Sequence, residues 1–398
     1  MKKGISKIGT VFLFLMLLTT TMLSCKKGNE DAGTPAEVYP AILRQFGGRI
    51  NPDRLDAYGS QAIPAYIVKN NATGITLSNE KATLGRVLFY DKNLSVNNTI
   101  SCGSCHQQEF AFSDTAAFSR GILGGITGRH SMRLINPRFA TEVRFFWDER
   151  APNLLFQTTQ PIRDHAEMGF SGQAGRPDFN TLLTKLQNID YYNELFRLVY
   201  NDTRVTEQRI QECLTHFIQS ITSFDSKFDE GRRMVPNEGP PFPNFSQLEN
   251  QGKQLFLAPP QFNANGQRIG GGAGCQGCHR APEFDIDPAS RNNGVIAARN
   301  GGTDINNTRS PSLRDLLNPS GALNGPFMHT GSFRSLGAVV DHYNAIPGLN
   351  PNLDPRLSPG GNPQRLVLTD NEKQALVAFL QTLTGRDIYT NVKWSDPF

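Results

Sequence analysis

Two short segments carry residue types that could attach a redox cofactor. Residues 102–106 read Cys-Gly-Ser-Cys-His and residues 275–279 read Cys-Gln-Gly-Cys-His, so both follow the C-x-x-C-H pattern of c-type haem attachment. Two thiols can form thioethers with the porphyrin vinyl groups, and the adjacent imidazole can bind the iron. A zinc site or a redox dithiol is the alternative, but neither requires a histidine directly after the second cysteine. The sequence therefore predicts two haem c groups, with thioether bonds at Cys102, Cys105, Cys275 and Cys278 and iron ligation by His106 and His279.

The positions that could supply a sixth iron ligand differ between the two halves of the chain. Seven residues after matching leucines, the second half has Tyr343, whose phenol can bind ferric iron, and the first half has Pro161, which has no ligating atom. The second iron is then capped by the protein, and the first is open to small molecules. His342 and Met328 are the alternative ligands of the second iron, or Tyr343 is an aromatic residue of an apolar helix face.

Reaction of peroxide at an open iron also needs a group that moves a proton between the two peroxide oxygens. Gln157, His165 and Glu167 follow Trp147 in the first half of the chain. Burial above a cofactor would raise the pKa of Glu167 toward neutrality. From the residues alone, a solvated loop acid is the plainer interpretation of Glu167, and a surface histidine that of His165.

The surroundings of the two cysteine segments are similar, which indicates a duplication. Residues 85–89 precede the first segment as residues 252–256 precede the second, and residues 129–134 follow the first as residues 309–313 follow the second. The pattern predicts a mainly α fold of two cytochrome c-like domains, each with one covalently bound haem c and long loops. Apolar residues recur at helical spacing over 206–228, which predicts a helix that closes the first domain.

The first 25 residues resemble a targeting signal. Three lysines precede an apolar run that is too short to span a bilayer, and the run ends at Met-Leu-Ser-Cys with Cys25 last. This resembles a bacterial lipoprotein signal; an ordinary secretory peptide is the alternative. We therefore expect an exported protein on the periplasmic side of a Gram-negative membrane, held by a lipid on Cys25 alone. The predicted divisions are a signal peptide over 1–24, a lipidated tether and N-terminal extension over 25–74, an N-terminal haem domain over 75–230, a linker over 231–245 and a C-terminal haem domain over 246–398.

The composition excludes several classes of protein. Of the 398 residues, 38% are hydrophobic and 19% are charged, and the 37 glycines and 25 prolines show no short period. A collagen-like chain and a uniformly disordered chain are therefore excluded. Three of the 40 basic residues lie in the leader, so the rest of the chain is almost neutral against its 36 acidic residues. We predict no nucleic-acid partner.

Several motifs together resemble the bacterial di-haem cytochrome c peroxidases. They are Leu-Gly-Arg-Val-Leu-Phe-Tyr-Asp over 84–91, Phe-Trp-Asp-Glu-Arg over 146–150, the run over 161–168 and Pro-Phe-Met-His-Thr-Gly over 326–331, and the resemblance runs in order from residue 75 to residue 390. The resemblance implies a peroxide-reactive site at the first haem. It also implies that Glu167 is the acid–base residue, Gln157 the distal glutamine and Trp147 an electron relay between the haems.

In two departures from the usual family pattern, the chain is similar to MauG, a member that oxidises a protein partner. Conventional members carry a histidine near the position of Ile122 that blocks the first iron until the second haem is reduced, and this chain has no histidine there. Tyr343 also replaces the usual methionine ligand. We therefore expect the first haem to be five-coordinate when fully oxidised, provided that His130 does not act as a blocking ligand.

The family resemblance also suggests a calcium ion between the domains. The backbone carbonyls of Asn324 and Pro326 fit two of its ligands. His130, however, stands where the family usually has an asparagine, and an imidazole is a poor donor for calcium. Asn136 is the alternative donor, and an empty site is the other outcome. Glu149 is a further departure, because the family normally has a glycine at this position.

Three functions are consistent with these predictions. The first is a di-haem c-type peroxidase, an oxidoreductase that reduces hydrogen peroxide to water at the N-terminal haem, with electrons delivered through the C-terminal haem by a small c-type cytochrome or a cupredoxin-like donor. The second is a MauG-like oxidase that uses peroxide to modify a protein or organic substrate through a bis-ferryl state. The third is a non-catalytic electron-transfer cytochrome, which the open position at Pro161 disfavours. The family often dimerises, so a homodimer is a further expectation.

Overall fold

The computed structural model describes residues 39–285, 287–306 and 309–398. Within these ranges the chain is helical, with long loops and one small antiparallel sheet of β1 (Pro260–Phe262) and β2 (Arg268–Gly271). The helices are α1 (Pro40–Phe46), α2 (Asn79–Tyr90), α3 (Cys102–Cys105), α4 (Leu154–Gln157), α5 (Gln160–Arg163), α6 (Phe179–Gln187), α7 (Asp190–Tyr200), α8 (Glu207–Ser220), α9 (Lys227–Arg232), α10 (Gln247–Leu257), α11 (Leu336–Asn344) and α12 (Asp370–Gln381). The predicted mainly α architecture is confirmed. In the described part of the chain, no helix is long and apolar enough to cross a membrane.

Two pairs of helices repeat the same packing in the two halves of the chain. Gly85 on α2 lies so close to α8 that an added Cβ would be 2.0 Å from the carbonyl oxygen of Cys213. Gly252 on α10 approaches α12 in the same way, with 1.8 Å to the carbonyl oxygen of Ala375. Each pair lies in its own cluster of buried apolar side chains. This repeated contact supports the duplication inferred from the sequence, while the domain boundaries stay predictions.

The helix predicted over 206–228 is shorter in the structure. Thr206 caps α8 by accepting the N–H of Arg209 at 3.2 Å, and the helix ends at Ser220. Asn136 accounts for the early end, because its N–H donates to the carbonyl of Ile221 at 3.1 Å and its side-chain Oδ1 accepts the N–H of Ser223 at 2.8 Å. These contacts hold the backbone after Ser220 in a non-helical course. The predicted linker also begins inside a helix, since α9 runs to Arg232.

Each end of the described chain also contacts the half of the molecule that is more distant from it in sequence. The C-terminal tail reaches the core of the first half, where Trp394 is buried and its carbonyl accepts the Tyr90 hydroxyl at 2.7 Å. The N-terminal extension reaches the second half, where Lys69 lies 3.5 Å from the Glu283 carboxylate and pairs with Asp285. The two halves are therefore held together by both chain ends.

Candidate active site

The first C-x-x-C-H segment lies in the wall of a cavity. α3 carries Cys102 and Cys105 into this wall, and His106 follows at the end of the helix. Ser101 stabilises the start of α3, since its N–H donates to the Ser104 hydroxyl at 3.0 Å. Burial raises the pKa of both thiols to about 12, so they are neutral.

The ring of His106 is oriented for metal binding. Its Nδ1 lies 3.0 Å from the carbonyl oxygen of Phe112, and a carbonyl can only accept, so Nδ1 carries the proton. The lone pair of Nε2 is then free for a metal. Burial lowers the pKa of His106, which favours the neutral form that metals bind.

The second segment lines two adjoining cavities of the other half. Cys275 and His279 face both cavities, and Cys278 faces one of them. Burial raises the pKa of both thiols to about 12 and lowers the pKa of His279 to about 4. All four thiols are free, and within the described ranges no three His, Cys, Asp or Glu side chains gather as a metal cluster. Two separate thiol pairs, each followed by a neutral imidazole, fit two haem c groups and do not support the zinc alternative.

The residues implied for peroxide chemistry line the same cavity as the first segment. Glu167, Gln157 and Trp147 all face it, and so does Pro161, which offers no ligating atom. Burial and the neighbouring Asp164 charge raise the pKa of Glu167 to about 7, against an opposing effect of a nearby arginine. A carboxyl group with this pKa exchanges protons near neutral pH.

A hairpin over 120–126 holds the backbone of Glu167 in place. The N–H of Ile122 donates to the carbonyl of Glu167 at 3.0 Å. On the other side, Asp164 accepts the N–H of Glu167 at 3.0 Å through its carboxylate. The Ile122 side chain is fully buried, at 1% exposure, whereas Leu123 points outward. The carboxyl group therefore projects from a backbone that is fixed at both sides.

Two glycines allow the hairpin to approach this backbone so closely. A Cβ added at Gly121 would lie 1.9 Å from the carbonyl oxygen of Ala166, and one added at Gly125 would lie 2.1 Å from the same oxygen. Real Cβ atoms are never so near an oxygen atom. The contact between the hairpin and the Ala166–Glu167 segment therefore requires glycine at both positions.

His130 is held by hydrogen bonds of its own. Its Nδ1 lies 2.9 Å from the Ala116 carbonyl oxygen, and its Nε2 lies 3.3 Å from the Ser113 hydroxyl. Burial lowers its pKa to about 4, so the ring is neutral. The Ala116 contact orients the ring and places Nε2 against Ser113, whose hydroxyl donates to the Ser131 carbonyl at 2.9 Å; this placement disfavours His130 as a ligand of the first iron.

Trp147 lies between the cavities of the two halves. It lines the cavity of the first segment and also the apolar cavity that contains His279. Its Nε1–H donates to the His130 carbonyl at 2.7 Å, and its own carbonyl accepts the N–H of Arg309 at 2.8 Å. The indole ring is therefore buried and fixed where an electron relay would have to be.

Of the three candidates for the sixth ligand of the second iron, two face the site. Tyr343 on α11 lines both cavities of the second segment, and Met328 lines one of them. The neighbouring His342 instead donates from Nε2 to the carbonyl of Asn293 at 2.8 Å. This contact disfavours His342 as the ligand.

The predicted calcium ligands are the backbone carbonyls of Asn324 and Pro326, and the contacts of the described residues around them do not identify a calcium site. The side-chain amide of Asn324 donates to the Asp315 carbonyl at 2.9 Å, and Pro326 lines the cavity of the second segment. The alternative donor, Asn136, is occupied by both its carboxamide contacts with Ser223. Neither these contacts nor the relatives described below support calcium.

The structure explains why the family normally has a glycine at the position of Glu149. Glu149 has a φ of 58°, in the left-handed region that glycine adopts without strain. Burial raises the pKa of Glu149, and its buried Oε1 has no hydrogen-bond partner in the described ranges. The glutamate is therefore accommodated in the turn at some cost in stability.

Two residues of the sites were not singled out from the sequence. Arg309 lines the cavity of the second segment, is 2% exposed and has two guanidinium nitrogens without a partner among the described residues. The duplication contains a signal for it, because residues 309–313 repeat 129–134. Asn293 also faces this cavity, and no sequence pattern marks it.

Two paired thiol–imidazole segments in a helical chain with repeated helix packing are the arrangement expected of c-type proteins with two haems. A family model described as di-haem cytochrome c peroxidase matches residues 79–234. The methylamine utilization protein MauG of Methylophilus methylotrophus is 29% identical over 317 residues, which are 78% of this chain and 84% of that protein. The cytochrome c551 peroxidase of Nitrosomonas europaea is 25% identical over 318 residues, which are 77% of this chain and 80% of that protein.

Solved structures have the same fold. A MauG-like protein associated with microbial copper homeostasis is 27% identical with a TM-score of 0.62, and the match covers 85% of this chain and 99% of that one. The diheme peroxidase BthA from Burkholderia thailandensis gives a TM-score of 0.61 at 20% identity, over 84% of this chain and 94% of that one. The family model and the named relatives confirm the resemblance to the di-haem cytochrome c peroxidases and MauG that the motifs predict.

Proposed function

We propose that this protein is a di-haem c-type peroxidase that reduces hydrogen peroxide to water in the cavity of its first C-x-x-C-H segment. The observation that carries the proposal is that Glu167 faces this cavity. Its pKa of about 7 makes it a group that can exchange protons near neutral pH. Pro161, in the same wall, offers no atom that could bind an iron. Named relatives that are peroxidases support the same activity.

Each haem c would be held by two thioether bonds and one histidine, and when bound it supplies a redox-active iron. The first would be held by Cys102, Cys105 and His106. The second would be held by Cys275, Cys278 and His279, with Tyr343 as its sixth ligand. Hydrogen bonding of His106 to Phe112 keeps its imidazole ready for ligation in the resting protein.

The carboxylate of Glu167 would accept a proton from one peroxide oxygen and return it to the other. The haem would supply the redox chemistry, so that two electrons from the donor and two further protons convert both oxygens to water. Gln157, from the same cavity wall, donates a hydrogen bond that orients the peroxide. Trp147 carries electrons between the two halves from its position between both cavities.

A MauG-like oxidase is the second candidate, and two observations favour it. The His130 ring is held at Nδ1 by the Ala116 carbonyl, and no histidine stands in the hairpin over 120–126, so the first site needs no ligand to be removed before peroxide enters. Tyr343, an anionic ligand when bound to iron, favours the oxidised states of the second site. In this function electrons leave an organic or protein substrate through the second half of the molecule.

The setting of the enzyme is part of the proposal. We place it on the periplasmic side of a membrane, held by a lipid on Cys25, which lies outside the described residues. A small c-type cytochrome or cupredoxin-like protein is the proposed electron donor, and a homodimer and a calcium ion near Asn324 and Pro326 stay predictions. Mass spectrometry of the mature protein tests the lipid, and metal analysis after dialysis tests the calcium.

The test of the activity is the substitution Glu167→Gln, which keeps the shape of the side chain and removes the acid–base group. We expect peroxide turnover to fall by about 100-fold or more, the usual range for loss of a general acid–base group. Both haems should stay attached, because Glu167 is not one of their ligands. His165→Gln is the matched control, since His165 lies in the same loop with an exposed side chain. Equal turnover of the two variants would remove Glu167 from the mechanism.

A further inference from the structure

Asn293 contacts both side chains that can serve as the sixth ligand of the second haem. It lines the same cavity as Tyr343 and Met328. Its Nδ2–H donates to the Sδ atom of Met328 at 3.4 Å. Its side chain also acts to lower the pKa of the Tyr343 hydroxyl, against the larger raising effect of burial. One carboxamide group therefore lies beside the two competing ligands at the same time.

The orientation of this carboxamide is fixed by the backbone. Its Oδ1 accepts the N–H of Val295 at 3.0 Å. Because this oxygen already has a backbone donor, the two N–H groups of Nδ2 are the ones that face Tyr343 and Met328. The carbonyl of Asn293 also accepts from His342, which keeps that imidazole out of the cavity.

The loop that carries Asn293 is anchored by its neighbour in sequence. Asn292 is fully buried, and its N–H donates to the Asn352 carbonyl at 3.1 Å. Its carbonyl accepts the N–H of Asp354 at 2.9 Å, and its Oδ1 accepts the side chain of Asn350 at 3.0 Å. Asn293 is therefore presented to the cavity from a rigid loop and cannot follow Met328 if the thioether moves toward an iron.

We propose that Asn293 is a positioning residue that selects Tyr343 over Met328 as the sixth ligand of the second haem. The inference rests on the proposed function, in which Tyr343 has this role. An N–H group directed at the Met328 sulfur engages the lone pair that would bind iron. The same amide, directed at the Tyr343 oxygen, orients the phenol and leaves its other lone pairs for the metal, as groups next to the ligands commonly do.

Two substitutions test the selection in the haem-loaded protein. Asn293→Asp keeps the side-chain shape and the Oδ1 contact with Val295 but removes both donors, and Asn293→Ala removes the whole carboxamide. We expect the loss of the hydrogen bond to Met328 to shift the equilibrium from Tyr343 to Met328 ligation by about fivefold. The readout is the magnetic circular dichroism and electron paramagnetic resonance of the ferric second haem, which distinguish phenolate from thioether ligation. Addition of Met328→Leu to Asn293→Ala should restore the tyrosine-ligated spectrum.

The outcomes separate this inference from the function on which it rests. If Tyr343→Phe alters the second-haem spectrum and both Asn293 variants keep the wild-type spectrum, Asn293 does not select the ligand, and Tyr343 is still supported as the ligand. If Tyr343→Phe leaves the spectrum unchanged, the tyrosine ligation is wrong and the inference fails with it. If Asn293→Ala does not bind haem, Asn293→Asp decides the question, because it retains the turn contact.

Discussion

The substitution Gly121→Ala tests how the reactive carboxyl group is held. A methyl group at this position would lie 1.9 Å from the carbonyl oxygen of Ala166, whereas ordinary contact begins at about 3.4 Å. The hairpin over 120–126 and the Ala166–Glu167 segment must therefore separate by more than about 1 Å. A displacement of that size at a reacting group costs about 100-fold in rate. The hydrogen bond from Ile122 to Glu167, now 3.0 Å, would be lost as well.

The assay is steady-state peroxide reduction by the haem-loaded protein, together with its unfolding temperature. We expect Gly121→Ala to lower kcat by about 100-fold. Gly125→Ala should act in the same way, since its methyl group would lie 2.1 Å from the same oxygen. Leu123→Ala is the matched control from the same hairpin, because the Leu123 side chain is 72% exposed. Turnover of Gly121→Ala within about twofold of the wild type would refute the hairpin as the support of Glu167.

Three further predictions concern the same region. The pKa of Glu167 is about 7 and its carboxylate is the form that accepts the proton, so peroxide turnover should rise with pH through this value. The rise should disappear in Glu167→Gln. A flat wild-type profile between pH 6 and 8 would contradict the assignment of Glu167 as the proton acceptor. Trp147→Phe should slow electron transfer between the haems in stopped-flow measurements while both haems stay attached, and an unchanged rate would exclude the indole as the relay. Glu149→Gly should raise the free energy of unfolding, measured in a denaturant titration, by about 1 kcal/mol. The reason is that it relieves the strain of a φ of 58° and removes a buried carboxyl oxygen without a partner in the described ranges. A loss of stability would show that the glutamate has a partner that stabilises it.

The positions of the two C-x-x-C-H segments in cavity walls agree with the haem attachment predicted from their local spacing, which itself stays a prediction. Both C-x-x-C-H segments face cavities, as the binding of a haem by their cysteines and histidine would require. The apolar periodicity of α8 likewise predicts its buried face. Its end at Ser220 could not be predicted, because Asn136, a residue far away in sequence, contacts the backbone beyond it.

The acid–base site needed more than local pattern. Glu167 lies in a loop without periodicity, so its interpretation depended on the family resemblance, and its raised pKa follows from burial that only the folded chain produces. Gly121 and Gly125 are ordinary loop glycines in the sequence, and their role follows from a contact across the fold. The partners of His130 likewise come from residues that the sequence does not mark as neighbours.

The most direct test of the account is electron paramagnetic resonance of the fully oxidised protein before and after peroxide, without any reductant. We expect one high-spin and one low-spin ferric haem, because Pro161 supplies no ligand and His130 is held elsewhere. We also expect the high-spin signal to be lost when peroxide is added. Two low-spin haems that do not respond to peroxide would contradict it, since the first iron would then carry a protein ligand and Glu167 would have no peroxide to act on.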